Sequence, residues 1–302
     1  MLSRIVAGVD GSDASLAAAR LAAAEAAAEH RPLRLVHARL PVADYALLLP
    51  PGIAADDALA PRALIDAVRK DLRRAYPGLD VRAAVTESGP AAALLRASRS
   101  AGLLVVGRSG LHPGRRSPAG STTARVAAGA NCPVVVVGPQ LPEHGEVVVG
   151  FDPADPESPA VPYAFAAAQW RGSGLRICCV RPVDGGRWPD DATARRAVSE
   201  AVAGWRAAFA DVPVAIDVLA GLDPVARLLD ASVEAGLVVV GEWDRGRVDP
   251  GPAGRLPEVL VRNAACPVAV VRPSRRHTRR ADPGPTAPAG RPDDPGPGTR
   301  RS

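Results

Sequence analysis

The chain has 302 residues, enough for two domains of ordinary size, and is 47% hydrophobic but only 3% aromatic, so its cores must be built from Ala, Val, Leu and Ile. No uninterrupted apolar run reaches the roughly 18 residues that span a bilayer, and MLSRIVAGVD runs into a strand pattern without a signal core, so a cytoplasmic protein with no membrane partner is expected. The net charge of +5 is concentrated in residues 274–302, where seven arginines face three aspartates, so the rest of the chain is close to neutral and no specific nucleic-acid surface is indicated.

In chain order, strands are expected near 4–9, 33–38, 80–85, 103–107 and 133–138, with helices near 13–29, 58–76, 90–101 and 119–130. The first helix, SLAAARLAAAEAAAEH, owes its propensity to alanine, and Ser12 or Asp13 can cap its start. Short valine-rich runs such as LLVVG and VVVVG are the pattern of strands buried on both faces. Strand and helix alternating in this way give a parallel, doubly wound α/β sheet.

The design then repeats. RIVAGVDGSD at 4–13 is echoed by EVVVGFDPAD at 146–155, and strands are expected again near 146–150, 175–180, 213–218, 237–241 and 267–271. Domains are therefore placed at 1–139 and 145–273, joined by a short linker. Residues 274–302 form a basic Pro/Gly-rich tail without apolar periodicity, which is expected to be disordered. Cys132, Cys178, Cys179 and Cys266 show no CxxC spacing and are read as buried thiols, neither metal ligands nor a disulfide framework. The runs VVVVG and VAVVR that end the two copies are apolar on both faces. Uncovered, either edge would invite aggregation, so the copies are expected to pair through these strands as an internal pseudo-dimer.

One segment carries the chemistry. Gly107, Gly110 and Gly120-Ser121 are separated by two and nine residues, between a buried strand and a helix. Glycines in that setting let backbone N–H groups approach an anion closely at a helix start. The second copy keeps Gly241 and Gly254 but has Asp244 and Arg255 at the other two positions. The first strand ends in Gly8-Val9-Asp10, and ligands of doubly wound sheets bind at such carboxyl ends. Asp10 either accepts from an adenine amino group or ribose hydroxyl, or only caps a turn. Arg108, Arg115 and Arg116 either neutralise phosphates or form a solvated basic loop. A Walker A loop is excluded, because the sole lysine, Lys70, lies in a helix pattern. No GxSxG or HExxH motif is present, the five histidines make no ligand set, and no catalytic or metal-binding residue is assigned.

With these residues the chain resembles a tandem universal stress protein over residues 1–273. The resemblance implies two five-stranded sheets of order 3-2-1-4-5 whose last strands pair, and residues 107–121 match the G-x2-G-x9-G-(S/T) signature of members that bind ATP. It implies that Asp10, with Gly8 and Val9, meets adenosine, and that Ala38 lines adenine where the family commonly has Val. Gly107, Gly110, Gly120 and Ser121 would hold phosphate and ribose, with Arg108 beside them and Thr122 and Thr123 adding donors. The function then expected is nucleotide-dependent regulation or stress response, with ATP, and magnesium on its phosphates, bound in the first domain through the 108–119 loop. A slow ATP hydrolase using His112 and a nucleotide-free interaction module remain as alternatives. A protein partner and a further homodimer are expected without being identified.

Overall fold

The computed structural model describes residues 3–39, 60–108, 122–152, 155–181, 190–220, 223–241 and 256–272. In the first half the elements are β1 (Arg4–Gly8), α1 (Asp13–Ala28), β2 (Leu33–Arg39), α2 (Ala60–Ala75), β3 (Val81–Glu87), α3 (Pro90–Ser98), β4 (Ala101–Gly107), α4 (Thr122–Gly129) and β5 (Val134–Val137). The second half continues with β6 (Val147–Phe151), α5 (Ala160–Arg171), β7 (Leu175–Arg181), α6 (Asp191–Ala201), α7 (Ala203–Ala208), β8 (Val214–Ala220), α8 (Pro224–Ala231), β9 (Leu237–Gly241), α9 (Leu256–Asn263) and β10 (Val268–Val271).

All ten strands form one sheet of order β3-β2-β1-β4-β5-β10-β9-β6-β7-β8. Each half has the order 3-2-1-4-5 with parallel pairing, and the halves join where β5 and β10 run antiparallel, Val134 opposite Val270 and Val136 opposite Val268. Every residue of these two strands is buried. Burying a valine stabilises by about 1.5–3 kcal/mol relative to leaving it exposed, so the seam is a continuous part of the core. The expected pseudo-dimer is therefore present as a shared sheet.

Period-two alternation sends Ile5, Ala7, Leu103 and Val105 to one face, under α1 and α2, and Val6, Leu104 and Val106 to the other, under α3 and α4. Both apolar layers run on through the second half. Ser12 caps α1 by accepting from the Ser15 amide, and ten residues of the alanine-rich helix are buried, so it packs low on the sheet. The third helix is three residues shorter than its sequence pattern suggests. Ser98 turns its hydroxyl back to the Leu95 carbonyl and accepts from the Asn131 amide, after which β4 begins at Ala101. All four cysteines are free and buried. Among the described residues no helix is long and apolar enough to cross a membrane. The basic tail lies outside the described residues.

Candidate nucleotide site

The strand order of the first half reverses between β1 and β4, which opens a crevice at their carboxyl ends. A cleft of about 150 Å³ lies there, bounded by Gly8, Val9, Asp10, Ala38, Gly107, Thr122 and Thr123. Seven residues singled out from the sequence are thus brought together. Gly110, Gly120, Ser121 and His112, Arg115 and Arg116 lie outside the described residues, in the connection whose two ends, Gly107 and Thr122, both border the cleft.

The floor is built by a tight turn between β1 and α1. Asp10 Oδ1 accepts from the Ser12 amide at 3.0 Å and the Ser12 hydroxyl at 2.6 Å, while Ser15 Oγ accepts from the amides of Asp10 and Gly11. Gly11 has φ +92°, a conformation that a side chain would strain. The turn-capping reading of Asp10 is therefore realised in the structure, at the cleft wall. His37 Nδ1 lies 2.8 Å from the Val9 carbonyl and ties β2 to the same turn. On the far wall the Thr123 hydroxyl donates to the Gly107 carbonyl at 2.7 Å, fixing the start of α4 to the end of β4.

Gly107 has a reason of its own. A Cβ there would stand 2.8 Å from the Ser15 nitrogen and 2.9 Å from the Ala14 carbonyl carbon, so the residue must be glycine for α1 to approach β4. Packing requires it before any ligand does. Arg108 is directed away from the cleft. Its amide donates to the Val137 carbonyl, and its guanidinium to the Ala264 carbonyl at 2.6 Å and the Cys266 carbonyl at 3.5 Å, in the second half. Burial lowers its pKa, partly offset by Cys266.

Sequence reasoning missed Ser12, Ser15, Val36, Pro90, Leu94 and Val106 of the lining. Val36 was legible, since it precedes Ala38 by two on a strand and must share its face. Pro90 and Leu94 come from α3, whose placement over β1 no local pattern announces. A larger cleft of about 600 Å³ opens at the opposite end of the sheet, between the segments around His30 and Tyr76. It collects no convergent polar set: Arg31, its main cation, is committed to Glu29 at 2.6 Å and to the Ser3 carbonyl.

The second half has a cleft at the equivalent place, and it is smaller, about 90 Å³. Gly150, Asp152, Pro224, Leu228, Val240 and Gly241 stand where Gly8, Asp10, Pro90, Leu94, Val106 and Gly107 stand in the first. Val180 replaces Ala38 and Leu256 replaces Thr122, while Pro257 takes the place of Thr123, so both hydroxyls at the helix start are gone. The connection from β6 to α5 spans eight residues, 152–159, against four, 9–12, in the first half. It ends on Pro159, which offers no side-chain cap. In this connection burial, with Asp152 and Glu157 adding to it, pushes the Asp155 carboxyl up.

Residues 1–138 and 144–272 each match the Universal stress protein family. The chain is 33% identical over 289 residues to universal stress protein Rv2623 of Mycobacterium tuberculosis, covering 89% of this chain and 96% of that protein. It is 32% identical over 288 residues to a universal stress protein of Mycolicibacterium smegmatis, covering 89% and 97%. A crystal structure of a universal stress protein from Archaeoglobus fulgidus superposes with TM-score 0.62 at 17% identity, covering 91% of this chain and 97% of that one, a likeness of fold. The chain, with its two matching repeats in one continuous sheet, belongs to the universal stress protein family.

Proposed function

We propose that the first half binds ATP, with magnesium accompanying the phosphates, and that the protein is a nucleotide-dependent regulator in a stress response. The observation that carries this reading is the contrast between the two equivalent clefts. The first keeps a small residue at Ala38, the hydroxyls of Thr122 and Thr123 and the compact Ser12–Ser15 turn, and the second has lost all three. Gly8, Val9, Asp10 and Ala38 are assigned to the adenosine side. Thr122 and Thr123, in the first described turn of α4, are assigned to phosphate together with Gly107, Gly110, Gly120 and Ser121. Arg108 is not assigned a ligand contact, because its guanidinium is directed across the seam to the Ala264 and Cys266 carbonyls.

The residues present fit such a ligand chemically. A negatively charged group is favoured at a helix N-terminus, and a hydrogen bond from a backbone N–H to a charged oxygen contributes about 1.5–3 kcal/mol. About four of them, after the cost of association, reach the roughly −8 kcal/mol of micromolar binding. Calorimetric titration of the full chain with Mg-ATP should give micromolar affinity, and an absence of binding at millimolar ATP would contradict the assignment.

A further inference from the structure

The two elements that flank residues 109–121 are both fastened to the second half, each by an arginine crossing the seam. Arg108 directly follows Gly107 at the end of β4. Its guanidinium donates to the Ala264 carbonyl, where α9 ends, and its buried Nε has no partner. In the other direction Arg272, just after β10, donates to the Ala128 carbonyl at 2.5 Å, in the last turn of α4. The antiparallel seam makes this possible. It brings the start of β10 beside the end of β5, and the end of β10 beside the start of β5. Each arginine therefore meets carbonyls left without helical partners at the end of a helix of the other half, where positive charge is favoured.

The arrangement bears on the cleft because Arg272 holds α4 at Ala128, about 9 Å along the helix from Thr122, which lines it. Thr123 at that near end is in turn bonded to Gly107, the neighbour of Arg108. The anchored points form a closed circuit: Arg108, Gly107, Thr123, α4, Ala128 and Arg272. We propose that the second half, with its own cleft reduced, positions the nucleotide site of the first, and that Arg108 and Arg272 are positioning residues for it. Nucleotide occupancy and the state of the seam are thereby coupled. This rests on the ATP assignment above.

The test uses the full chain as wild type, Arg272→Gln, Arg272→Lys and the control Arg262→Gln, an exposed arginine of α9 that pairs with Glu258 on its own helix. ATP affinity is measured by calorimetry and amide exchange by mass spectrometry. Arg272→Gln should weaken ATP binding about tenfold, a change that one charge-assisted hydrogen bond can carry. Exchange should rise in Thr122–Gly129 while α1 stays as protected as in wild type. Arg272→Lys should recover most of the affinity, and Arg262→Gln should change nothing. Unchanged affinity in Arg272→Gln would overturn the proposal, as would exchange that rises evenly through the first half. If Arg272→Gln does not fold, Arg272→Met, which keeps the apolar stem and removes the donor to the Ala128 carbonyl, decides: a several-fold loss with exchange confined to α4 supports positioning, and wild-type affinity refutes it. A wild type that binds no ATP would remove the nucleotide assignment itself, an outcome distinct from binding that ignores Arg272.

Discussion

The two halves share one topology and one glycine at the end of their fourth strand, yet they differ where a ligand would enter. Gly107 and Gly241 are both kept: a Cβ at the first would meet the backbone of Ser15 and Ala14 at the start of α1, and one at the second would meet the Ser158 hydroxyl in the connection just before α5. Among the described residues, the positions that changed, Ala38 to Val180 and Thr122 to Leu256, line the two clefts. The two halves thus separate what the fold needs from what lines the cleft. Gly107, kept as Gly241, answers a packing demand of the fold whether or not it also meets a ligand.

Transplanting the second half's residues into the first gives the largest expected effect. Gly110→Asp with Ser121→Arg should reduce ATP affinity by about a thousandfold. A carboxylate about 4 Å from a phosphate charge costs roughly 4 kcal/mol at an effective dielectric near 20. Titration calorimetry checks this, and micromolar binding by the double variant would break the comparison.

The shared glycines sharpen it on the stability side. Gly107→Ala forces a Cβ against helix backbone at 2.8–2.9 Å and should cost about 2–3 kcal/mol. Gly241→Ala meets the Ser158 hydroxyl at 2.6 Å, a side chain that can rotate away, and should cost less than about 1 kcal/mol. Urea midpoints measure both, and equal losses would show that α1 and α5 approach the sheet in the same way. The smallest effect is expected from Thr123→Val, which removes the bond to the Gly107 carbonyl that Pro257 cannot make in the second half. About 1 kcal/mol of stability and a several-fold loss of ATP affinity should follow, read from the same two assays.

Much of this was legible in the sequence because the determinants are local. Valine runs flanked by helix patterns placed the ten strands, and the doubly apolar character of residues 134–137 and 268–271 foretold the seam. The role of Gly107 was only half legible. Its spacing suggested a ligand, and its packing reason depends on how closely an alanine-rich helix from a distant segment lies on β4. Arg108 shows the limit more clearly. Adjacency to Gly107 suggested a phosphate contact, whereas its direction is set by the carbonyls of Ala264 and Cys266, more than 150 residues away in the chain. Cleft residues such as Leu94 likewise depend on how α3 crosses the sheet.

The asymmetry between the two equivalent clefts can be read most directly by photolabelling the intact chain with an azido-adenine analogue of ATP and mapping the labelled peptides. One label per chain is expected, competed by ATP and confined to residues 1–138, on peptides around Gly8–Asp10, Ala38 or Thr122–Thr123. Comparable ATP-sensitive labelling around Gly150–Asp152 or Leu256 would contradict it.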